Sequence, residues 1–394
     1  MWIQPLIQLL DRSMYFFFLS GNTSLSVERH FGILKLGNFG IAANVRISHE
    51  VKRNRLFQFP NFPIPKFPNF VPYFCPTMRV HRELAGSLPE FNRAVVTIGT
   101  FDGLHMGHRK IIAQLKEEAA RIGGETVIIT FHPHPRKIVS SVPGDIKLLT
   151  TLQEKISLLE AAGIDHLVVV PFDHVFSNQT AEQYVKDFLY AYFKPHTVII
   201  GYDHRFGKGR EGNYQMMKDY GKTLGFEVKE ISEQIINEIV ISSTRIRHAL
   251  KSNDIATANQ FLGYPYFFEG VVIEGNKLGR TIGYPTANLH ISSEEKLIPG
   301  NGVYAVTVVI PKRSETKVYK GMMNIGLRPT VDGKKKVIEV NIFDFDADIY
   351  GQTIQVHLQQ YLRGEVKFNG LDELKEQLRK DKLEAAESMG SINL

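Results

Sequence analysis

The sequence has very little cysteine and no long apolar run. Cys75 is the single cysteine among 394 residues, which excludes an internal disulfide and a zinc site built on several cysteines. No stretch approaches the ~18 uninterrupted apolar residues that a membrane-spanning helix needs. Apolar residues make up 43% of the chain and charged residues 22%, which is ordinary globular usage. The composition predicts a soluble, cytoplasmic protein with no membrane partner, and the length predicts two or three domains.

The positive charge is concentrated at the N-terminal end of the chain. The formal net charge is +6, yet residues 1–77 hold eight basic and three acidic side chains while the remainder holds 39 and 38. Outside the first 77 residues, bulk electrostatics therefore give no case for a nucleic-acid partner. The oligomeric state stays open.

Residues 1–77 differ in character from the rest of the chain. Six prolines between Phe57 and Pro76 disfavour helix and central strand, so this segment is predicted to be an extended linker. We expect a natural start at Met78, with residues 1–77 a non-native or disordered extension. The chain beyond it is expected to form two domains, 78–262 and 263–394.

The first of these domains alternates strands with helices. Strands are predicted at 93–101, 126–131, 166–172 and 197–201, and helices at about 152–162 and through 184–192. Such alternation predicts an α/β fold, a Rossmann-like parallel sheet with helices on both faces. The ligand site of such a sheet lies at the carboxyl ends of its strands.

A histidine motif follows the first of these strands. Segment 99–108 reads GTFDGLHMGH, and it turns into a helix whose free N–H groups and dipole favour phosphate. His105 and His108 are three residues apart, so both rings can face one ligand and donate to developing negative charge. The alternative is a glycine turn with incidental surface histidines.

Two further segments strengthen the phosphate-binding interpretation. Segment 201–212 (GYDHRFGKGREG) is a glycine-rich loop with two arginines, and segment 241–247 (ISSTRIR) opens a helix with Ser and Thr as cap candidates. Arg245 in the first turn opposes the helix dipole, which favours a bound phosphate. With the histidine motif, these segments resemble the FMN adenylyltransferase domain of bacterial bifunctional riboflavin kinase/FAD synthetases over about 92–262.

That resemblance implies direct attack of the FMN phosphate on the α-phosphorus of ATP, with His105 and His108 at the reacting centre. It implies a set of ATP-binding residues: Gly99, Phe101, Asp102, Gly107, Asp203, Arg205, Ser243, Thr244 and Arg245. It also implies that the loop of His132, Pro133, His134 and Pro135 borders the flavin, although loop structure imposed by the prolines explains the two histidines equally well.

The last third of the chain has strands without long intervening helices. Strands are predicted at 267–274, 302–310, 316–325, 336–343 and 352–361, and a closing helix at about 371–387. This spacing indicates a mostly antiparallel β-barrel with a C-terminal helix. Within it, the Pro-Thr-Ala-Asn turn at 285–288 places a hydroxyl and an amide oxygen two residues apart, and both suit Mg²⁺.

Five separated segments of this region follow one another in order: 279–289, 302–305, 324–330, Glu339 and 348–351. Together they resemble the riboflavin kinase domain over about 264–388. The resemblance implies that Glu339 is the general base for the ribityl hydroxyl and that Thr286 and Asn288 ligate the Mg²⁺ of MgATP. It implies a nucleotide or flavin site made by Gly279, Arg280, Tyr304, Asn324, Arg328 and Arg363. An exposed strand glutamate is the alternative for Glu339, and Arg363 is as well explained by structure.

The combined prediction is a bifunctional enzyme that phosphorylates riboflavin to FMN and adenylylates FMN to FAD, with riboflavin, FMN, FAD and ATP as its ligands. Three alternatives stay open. One is a single-activity protein with a degenerate module, and another is a flavin or nucleotide sensor. The third, an adenylyltransferase for pantetheine phosphate or nicotinamide mononucleotide, leaves the barrel unexplained.

Overall fold

The computed structural model describes residues 18–20, 24–26, 78–84, 86, 88–139, 146–201, 204–231, 242–275, 277–311, 316–330 and 333–390. The chain divides into two compact units, Met1–Phe70 and Val71–Leu394. In the first unit, strand β1 (Phe18–Ser20) pairs antiparallel with β2 (Ser24–Ser26). The proline-rich segment predicted to be a linker lies outside the described residues.

A six-stranded parallel sheet opens the second unit, as the alternation of strands and helices predicts. Its order is β3-β6-β5-β4-β7-β8, with every pairing parallel. The strands are β3 (Arg79–His81), β4 (Val95–Ile98), β5 (Thr126–His132), β6 (His166–Pro171), β7 (Thr197–Gly201) and β8 (Glu227–Ile231). The edge strands β3 and β8 were not predicted, because both contain polar residues and neither contains a long apolar run. Central β4 is buried along its whole length, as a strand covered on both faces must be.

Helices cover this sheet and follow its strands. They are α1 (Met106–Ile122), α2 (Pro135–Val139), α3 (Leu152–Ala161), α4 (His174–Ser177), α5 (Ala181–Gln183), a π-helical segment (Tyr184–Tyr190), α6 (Ala191–Phe193), α7 (Tyr214–Leu224), α8 (Ser243–Lys251) and α9 (Ile255–Leu262). A capping box starts α3, since Thr151 accepts from the Glu154 N–H and Glu154 accepts from the Thr151 N–H. Among the helices of the described residues, none is long and apolar enough to cross a membrane.

The rest of the unit is a closed antiparallel barrel, which confirms the second fold prediction. Its strand order is β10-β13-β12-β11-β14-β9. The strands are β9 (Phe267–Ile273), β10 (Ala287–His290), β11 (Gly302–Ile310), β12 (Lys317–Thr330), β13 (Gly333–Ile342) and β14 (Thr353–Arg363). Short helix α10 (Leu278–Thr281) precedes β10, and α11 (Leu371–Ser388) closes the chain. The four-residue β10, which closes the barrel between β9 and β13, was not predicted.

A single apolar core joins the barrel to the helices before it. Ile246 and Leu250 of α8 and Leu262 of α9 belong to the same buried cluster as Val340 and Tyr304 of the barrel. The backbone also connects the two halves, because residue 148, between β5 and α3, forms a parallel bridge with residue 296. The sheet-bearing half and the barrel therefore share their packing.

A buried ion pair lies at the same seam. Lys296 Nζ is 2.6 Å from Glu154 Oε2, with the two side chains 0% and 1% exposed. Lys296 also donates to the Leu149 carbonyl at 2.7 Å, and Glu154 Oε1 accepts from the Glu269 N–H of β9 at 3.3 Å. The Glu154 carboxylate, which belongs to the capping box of α3, therefore also contacts the β9 backbone of the barrel. Its partner Lys296 is fully buried.

We predict that Lys296→Met strongly destabilises the protein. Removal of one member of a buried pair leaves an uncompensated charge, which costs about 3–5 kcal/mol of unfolding free energy. Urea unfolding measures this loss. The exposed pair of Lys186 with Glu182 supplies the control, since Lys186→Met should cost less than about 1 kcal/mol. Equal effects of the two substitutions would contradict the prediction.

Candidate functional site

The loop between β4 and α1 is tightly folded against the protein. Phe101, Gly103 and Leu104 have φ of 48°, 81° and 38°, the left-handed region that L side chains rarely adopt. A Cβ on Gly103 would lie 2.7 Å from Leu149 Cδ1, so a larger residue does not fit there. The loop is held in an unusual conformation by its surroundings, as is common at functional sites.

The Asp102 carboxylate forms hydrogen bonds that fix this loop to its surroundings. The residue is 2% exposed. Its Oδ1 accepts from the N–H groups of Leu149 at 2.9 Å and Thr150 at 3.1 Å, and its Oδ2 accepts from the Arg247 guanidinium of α8. Asp102 therefore ties the histidine loop to the 149–150 turn and to α8. These contacts occupy the carboxylate, so the predicted contact of Asp102 with ATP stays a prediction.

His105 and His108 come together at the start of α1. His105 is the N-cap and its Nδ1 accepts from the His108 N–H at 3.4 Å. The rings stack with centroids 3.7 Å apart and planes 15° from parallel. Within the described residues, the buried Nδ1 of His108 has no hydrogen-bond partner. The two rings thus present a joint surface with unused hydrogen-bonding capacity.

Burial keeps both imidazoles neutral. It lowers the pKa of His105 to about 4, against the opposing effect of the Asp102 charge. Burial, then the neighbouring His105 and Lys155, lowers the pKa of His108 well below its ordinary value. Each ring therefore offers one N–H donor near neutral pH rather than a full positive charge.

The start of α8 lies beside this motif. Ser242 is the N-cap and accepts from the Arg245 N–H at 3.3 Å, while the Ser243 hydroxyl donates to the Asp102 carbonyl at 3.0 Å. Thr244 and Arg245 are exposed. The N-terminal ends of α1 and α8 therefore meet through Asp102, which brings two anion-binding helix ends together.

Other predicted residues of this site are placed as follows. Gly99 donates its N–H to the Ile129 carbonyl at 3.0 Å, and a Cβ on Gly107 would lie 3.2 Å from the His105 ring. Arg205 is exposed. Asp203 lies outside the described residues.

The predicted flavin loop follows β5 and lines a small cavity of about 60 Å³. Burial lowers the pKa of His134 to about 4, and its Nδ1 accepts from the Arg136 N–H at 3.2 Å. Asp102, His132, His134 and Lys155 line the cavity from the sheet side, and Ser293 and Glu295 line it from the barrel side. Pro133 and Pro135 frame His134 in the chain.

The barrel carries a row of polar residues across three strands. Asn288 of β10 pairs with Glu339 of β13, and Glu339 pairs with Asn324 of β12. Directly paired residues point to the same face of a sheet, whereas neighbouring Ile338 and Val340 are in the core. The structure therefore brings together the predicted base, one predicted metal ligand and the predicted Asn324.

An arginine and a large cavity adjoin this row. Arg328 donates from Nη2 to Glu339 Oε1 at 3.0 Å. Arg328 and Asn288 line a cavity of about 800 Å³, a volume typical of small-molecule sites. Lys147 and Lys251, which precede the barrel in the chain, line the same cavity. This cavity is therefore a candidate site for the barrel's ligand.

The residues predicted to hold Mg²⁺ lie under a glycine-containing loop. A Cβ on Gly275 would lie 2.0 Å from Asn288 Nδ2, and a Cβ on Gly279 would lie 3.6 Å from Thr286 Oγ1. A side chain at position 275 would collide with the Asn288 amide, whereas 3.6 Å is an ordinary contact distance, so the approach to Thr286 does not depend on glycine. The described residues contain no cluster of three or more His, Cys, Asp or Glu that could hold a metal. The two oxygen donors suit an ion that takes its other ligands from water and phosphate, as Mg²⁺ does.

Two of the three remaining predicted binding residues of the barrel have other contacts in the fold. Tyr304 is fully buried, and its hydroxyl donates to Asn253 Oδ1 at 2.8 Å. Arg363 forms two parallel bonds of 2.8 and 2.6 Å to Asp381 of α11. Arg280 is exposed on α10. For Tyr304 and Arg363 these contacts supply a structural reason for their presence, so their ligand contacts stay predictions.

Comparisons with known proteins agree with both halves of this description. The FAD synthetase family model matches residues 88–245, and the riboflavin kinase family model matches residues 262–389. The bifunctional riboflavin kinase/FMN adenylyltransferase of Bacillus subtilis is 39% identical over 74% of this chain and 92% of that protein. The Escherichia coli K12 protein of the same name is 38% identical, over 75% and 93%. The chain belongs to the bifunctional riboflavin kinase/FMN adenylyltransferase family.

A solved structure shares the arrangement of this family member. The crystal structure named as a macrolide-efflux protein from Streptococcus pneumoniae is 30% identical, with a TM-score of 0.68. The match covers 77% of this chain and 97% of that one. Both halves of the chain therefore have a counterpart of known fold.

Two charged residues of this candidate site were not predicted. Arg247 belongs to the ISSTRIR segment, but nothing in the sequence connects it to Asp102, 145 residues earlier. Lys155 could have been predicted from the sequence, because it lies on the apolar stripe of α3 with Leu152, Ile156 and Leu159. In the structure Lys155, Ile156 and Leu159 are buried. A lysine in an apolar stripe indicates a buried charge.

We predict that protonation of His105 destabilises the protein in acid. The folded pKa of about 4 lies below the ordinary 6.5, so the unfolded chain binds the proton first. The stability from this group is full above pH 6.5 and is lost as the pH falls through 4, by about 3 kcal/mol in all.

His105→Asn tests this, because asparagine also caps helices. Urea unfolding between pH 7 and 4 should show a smaller loss of unfolding free energy for the variant than for the wild type. Parallel pH profiles would contradict the assignment.

Proposed function

We propose that this chain makes FAD from riboflavin in two ATP-dependent reactions at two sites. The barrel half, residues 263–394, transfers the γ-phosphoryl group of ATP to riboflavin and yields FMN and ADP. The sheet half, residues 78–262, joins FMN to the AMP part of ATP and releases pyrophosphate. The observation that carries the proposal is that one chain holds both the paired histidines at a phosphate-binding helix start and the Asn288-Glu339 row beside a large cavity.

At the adenylyltransferase site, an FMN phosphate oxygen attacks the α-phosphorus and the bond to the β-phosphate breaks. His105 and His108, being neutral, donate N–H groups to the oxygens that gain charge. Ser243, Thr244 and Arg245, at the start of α8, hold the leaving β- and γ-phosphates. The chain's work in this reaction is positioning and charge stabilisation.

At the kinase site, Glu339 accepts a hydrogen bond and then the proton from the 5′-hydroxyl of riboflavin. Arg328 holds the Glu339 carboxylate from one side, which leaves the other oxygen for the substrate. Thr286 and Asn288 would hold the Mg²⁺ of MgATP, and the bound ion would supply positive charge to the phosphates. The cavity lined by Asn288 and Arg328 binds substrate of the kinase reaction.

We also propose that the protein works in the cytoplasm. The single cysteine suits a reducing compartment, and ATP is available there.

We predict reciprocal loss of the two activities in two variants. Glu339→Ala should abolish FMN formation from riboflavin while FMN-to-FAD conversion stays within about twofold of the wild type, because the two sites are separate. His108→Ala should abolish FMN-to-FAD conversion while riboflavin phosphorylation persists. Chromatographic separation of the flavins over time, with ATP and Mg²⁺ supplied, measures both reactions.

Glu384→Ala on α11 and His174→Ala on α4 are exposed controls, and both should keep the two activities. If either test variant were folded yet lost both reactions, the two-site assignment would be wrong.

A further inference from the structure

Two lysines are buried in the described part of the chain, and their surroundings differ. Lys296 is matched by Glu154. Lys155, which is 6% exposed, donates from Nζ to the Thr130 hydroxyl at 3.3 Å. Within the described residues, no carboxylate oxygen lies within 4.0 Å of it. A buried ammonium without a directly paired anion is costly, so Lys155 is a candidate to bind an anionic ligand.

The position of Lys155 indicates which ligand this is. Its partner Thr130 lies near the carboxyl end of β5, where parallel sheets bind their ligands. Lys155 lines the 60 Å³ cavity with His132 and His134. Its charge also acts on His108, the other side of the reacting centre. Lys155 therefore lies beside the loop predicted to border the flavin, and its charge reaches the paired histidines.

The size of the cavity excludes one kind of occupant. Its volume of about 60 Å³ is far below the roughly 300–1,000 Å³ of sites that hold whole small molecules. It takes a small polar group and not a three-ring flavin. The part of FMN that is small, anionic and reactive is its phosphate.

We propose that Lys155 binds the phosphate of FMN and holds this nucleophile in line with the α-phosphorus of ATP. The inference rests on the proposed FMN adenylyltransferase function. Helices α1 and α8 supply the groups for the ATP phosphates, whereas Lys155 approaches from α3 on the flavin side. Lys155 keeps its proton throughout, because the reaction transfers AMP to a phosphate oxygen and needs no base on the enzyme.

The neighbours of Lys155 predict a pH dependence. Burial lowers the pKa of Lys155 to about 8, with the Asp102 charge opposing. His108 from α1 and His134 from the β5–α2 loop are neutral near pH 7. The charge of Lys155 in the free enzyme is therefore lost as the pH rises through about 8.

Two further charges belong to this environment. Arg247 of α8 is committed to Asp102. Glu295, on the barrel side of the cavity, pairs with Lys137. Both carboxylates that line the cavity, Asp102 and Glu295, are thus paired with cations, and the ammonium of Lys155 is the charge that an incoming phosphate would meet.

Steady-state kinetics of Lys155→Met and Lys155→Arg test the inference with the full chain. For FMN-to-FAD conversion, Lys155→Met should raise KM for FMN about tenfold or more. KM for ATP and the rate of riboflavin phosphorylation should stay within about twofold, and Lys155→Arg should recover most of the loss. Lys116→Met, at an exposed position of α1, is the matched control and should change neither KM.

The pH profile separates binding from a merely structural role. Wild-type KM for FMN should rise above pH 8, and this rise should be absent from Lys155→Met. Should Lys155→Met not fold, Lys155→Arg provides the same comparison, because arginine stays charged and should remove the rise.

Several results would overturn the inference. One is an unchanged KM for FMN in Lys155→Met, and another is a parallel rise in the KM for ATP. A wild-type KM for FMN that does not change with pH would also overturn it. In each of these cases FAD formation by the wild type would leave the proposed function intact. A wild type that forms FMN but no FAD would instead overturn the adenylyltransferase function and this inference with it.

Discussion

The adenylyltransferase half depends on one buried carboxylate. Asp102 accepts from two backbone N–H groups of the 149–150 turn and from Arg247 of α8, so three separate parts of the chain meet on one side chain. A buried carboxylate must have its charge and its lone pairs satisfied, and here the partners are the 149–150 turn and α8, the helix predicted to hold the ATP phosphates. The left-handed residues of the β4–α1 loop are kept in place by the same contacts.

Helix α3 connects this constraint to the barrel. Its capping residue Glu154 faces Lys296 and the β9 backbone, while the next residue, Lys155, faces the sheet's ligand edge. Two neighbouring residues of one helix thus contact different halves of the unit, Glu154 the barrel and Lys155 the parallel sheet. Helices α8 and α9 share one apolar core with the barrel. The two halves are therefore packed together, although each has its own candidate site.

Much of this architecture is predictable from the sequence, for physical reasons. Long β-branched strands such as β5 and β11 and the helical spacing in α1 identify the parallel sheet and the barrel, because burial imposes those periods. Short strands cannot be predicted from periodicity in this way. Three-residue β3 and four-residue β10 are defined by their partners and not by their own pattern, so tertiary pairing decides them.

The sites are predictable to a smaller extent. The pattern of residues 99–108 is enough to bring His105 and His108 together, since local helix geometry fixes their spacing. It does not reveal that the Asp102 carboxylate turns inward, because that depends on Arg247 and the 149–150 turn far along the chain. Similarly, Glu339 alternates with core residues on β13, but its alignment with Asn288 and Asn324 depends on a register between strands that sequence periodicity leaves open.

The most direct test of the central claim is to measure both reactions in Asp102→Asn. Asparagine keeps the shape but removes the charge that Arg247 requires. We expect FMN-to-FAD conversion to fall about a hundredfold or more because the two helix ends separate, while riboflavin phosphorylation stays within about twofold. Unchanged FAD formation, or equal loss of both reactions in a folded protein, would contradict the account.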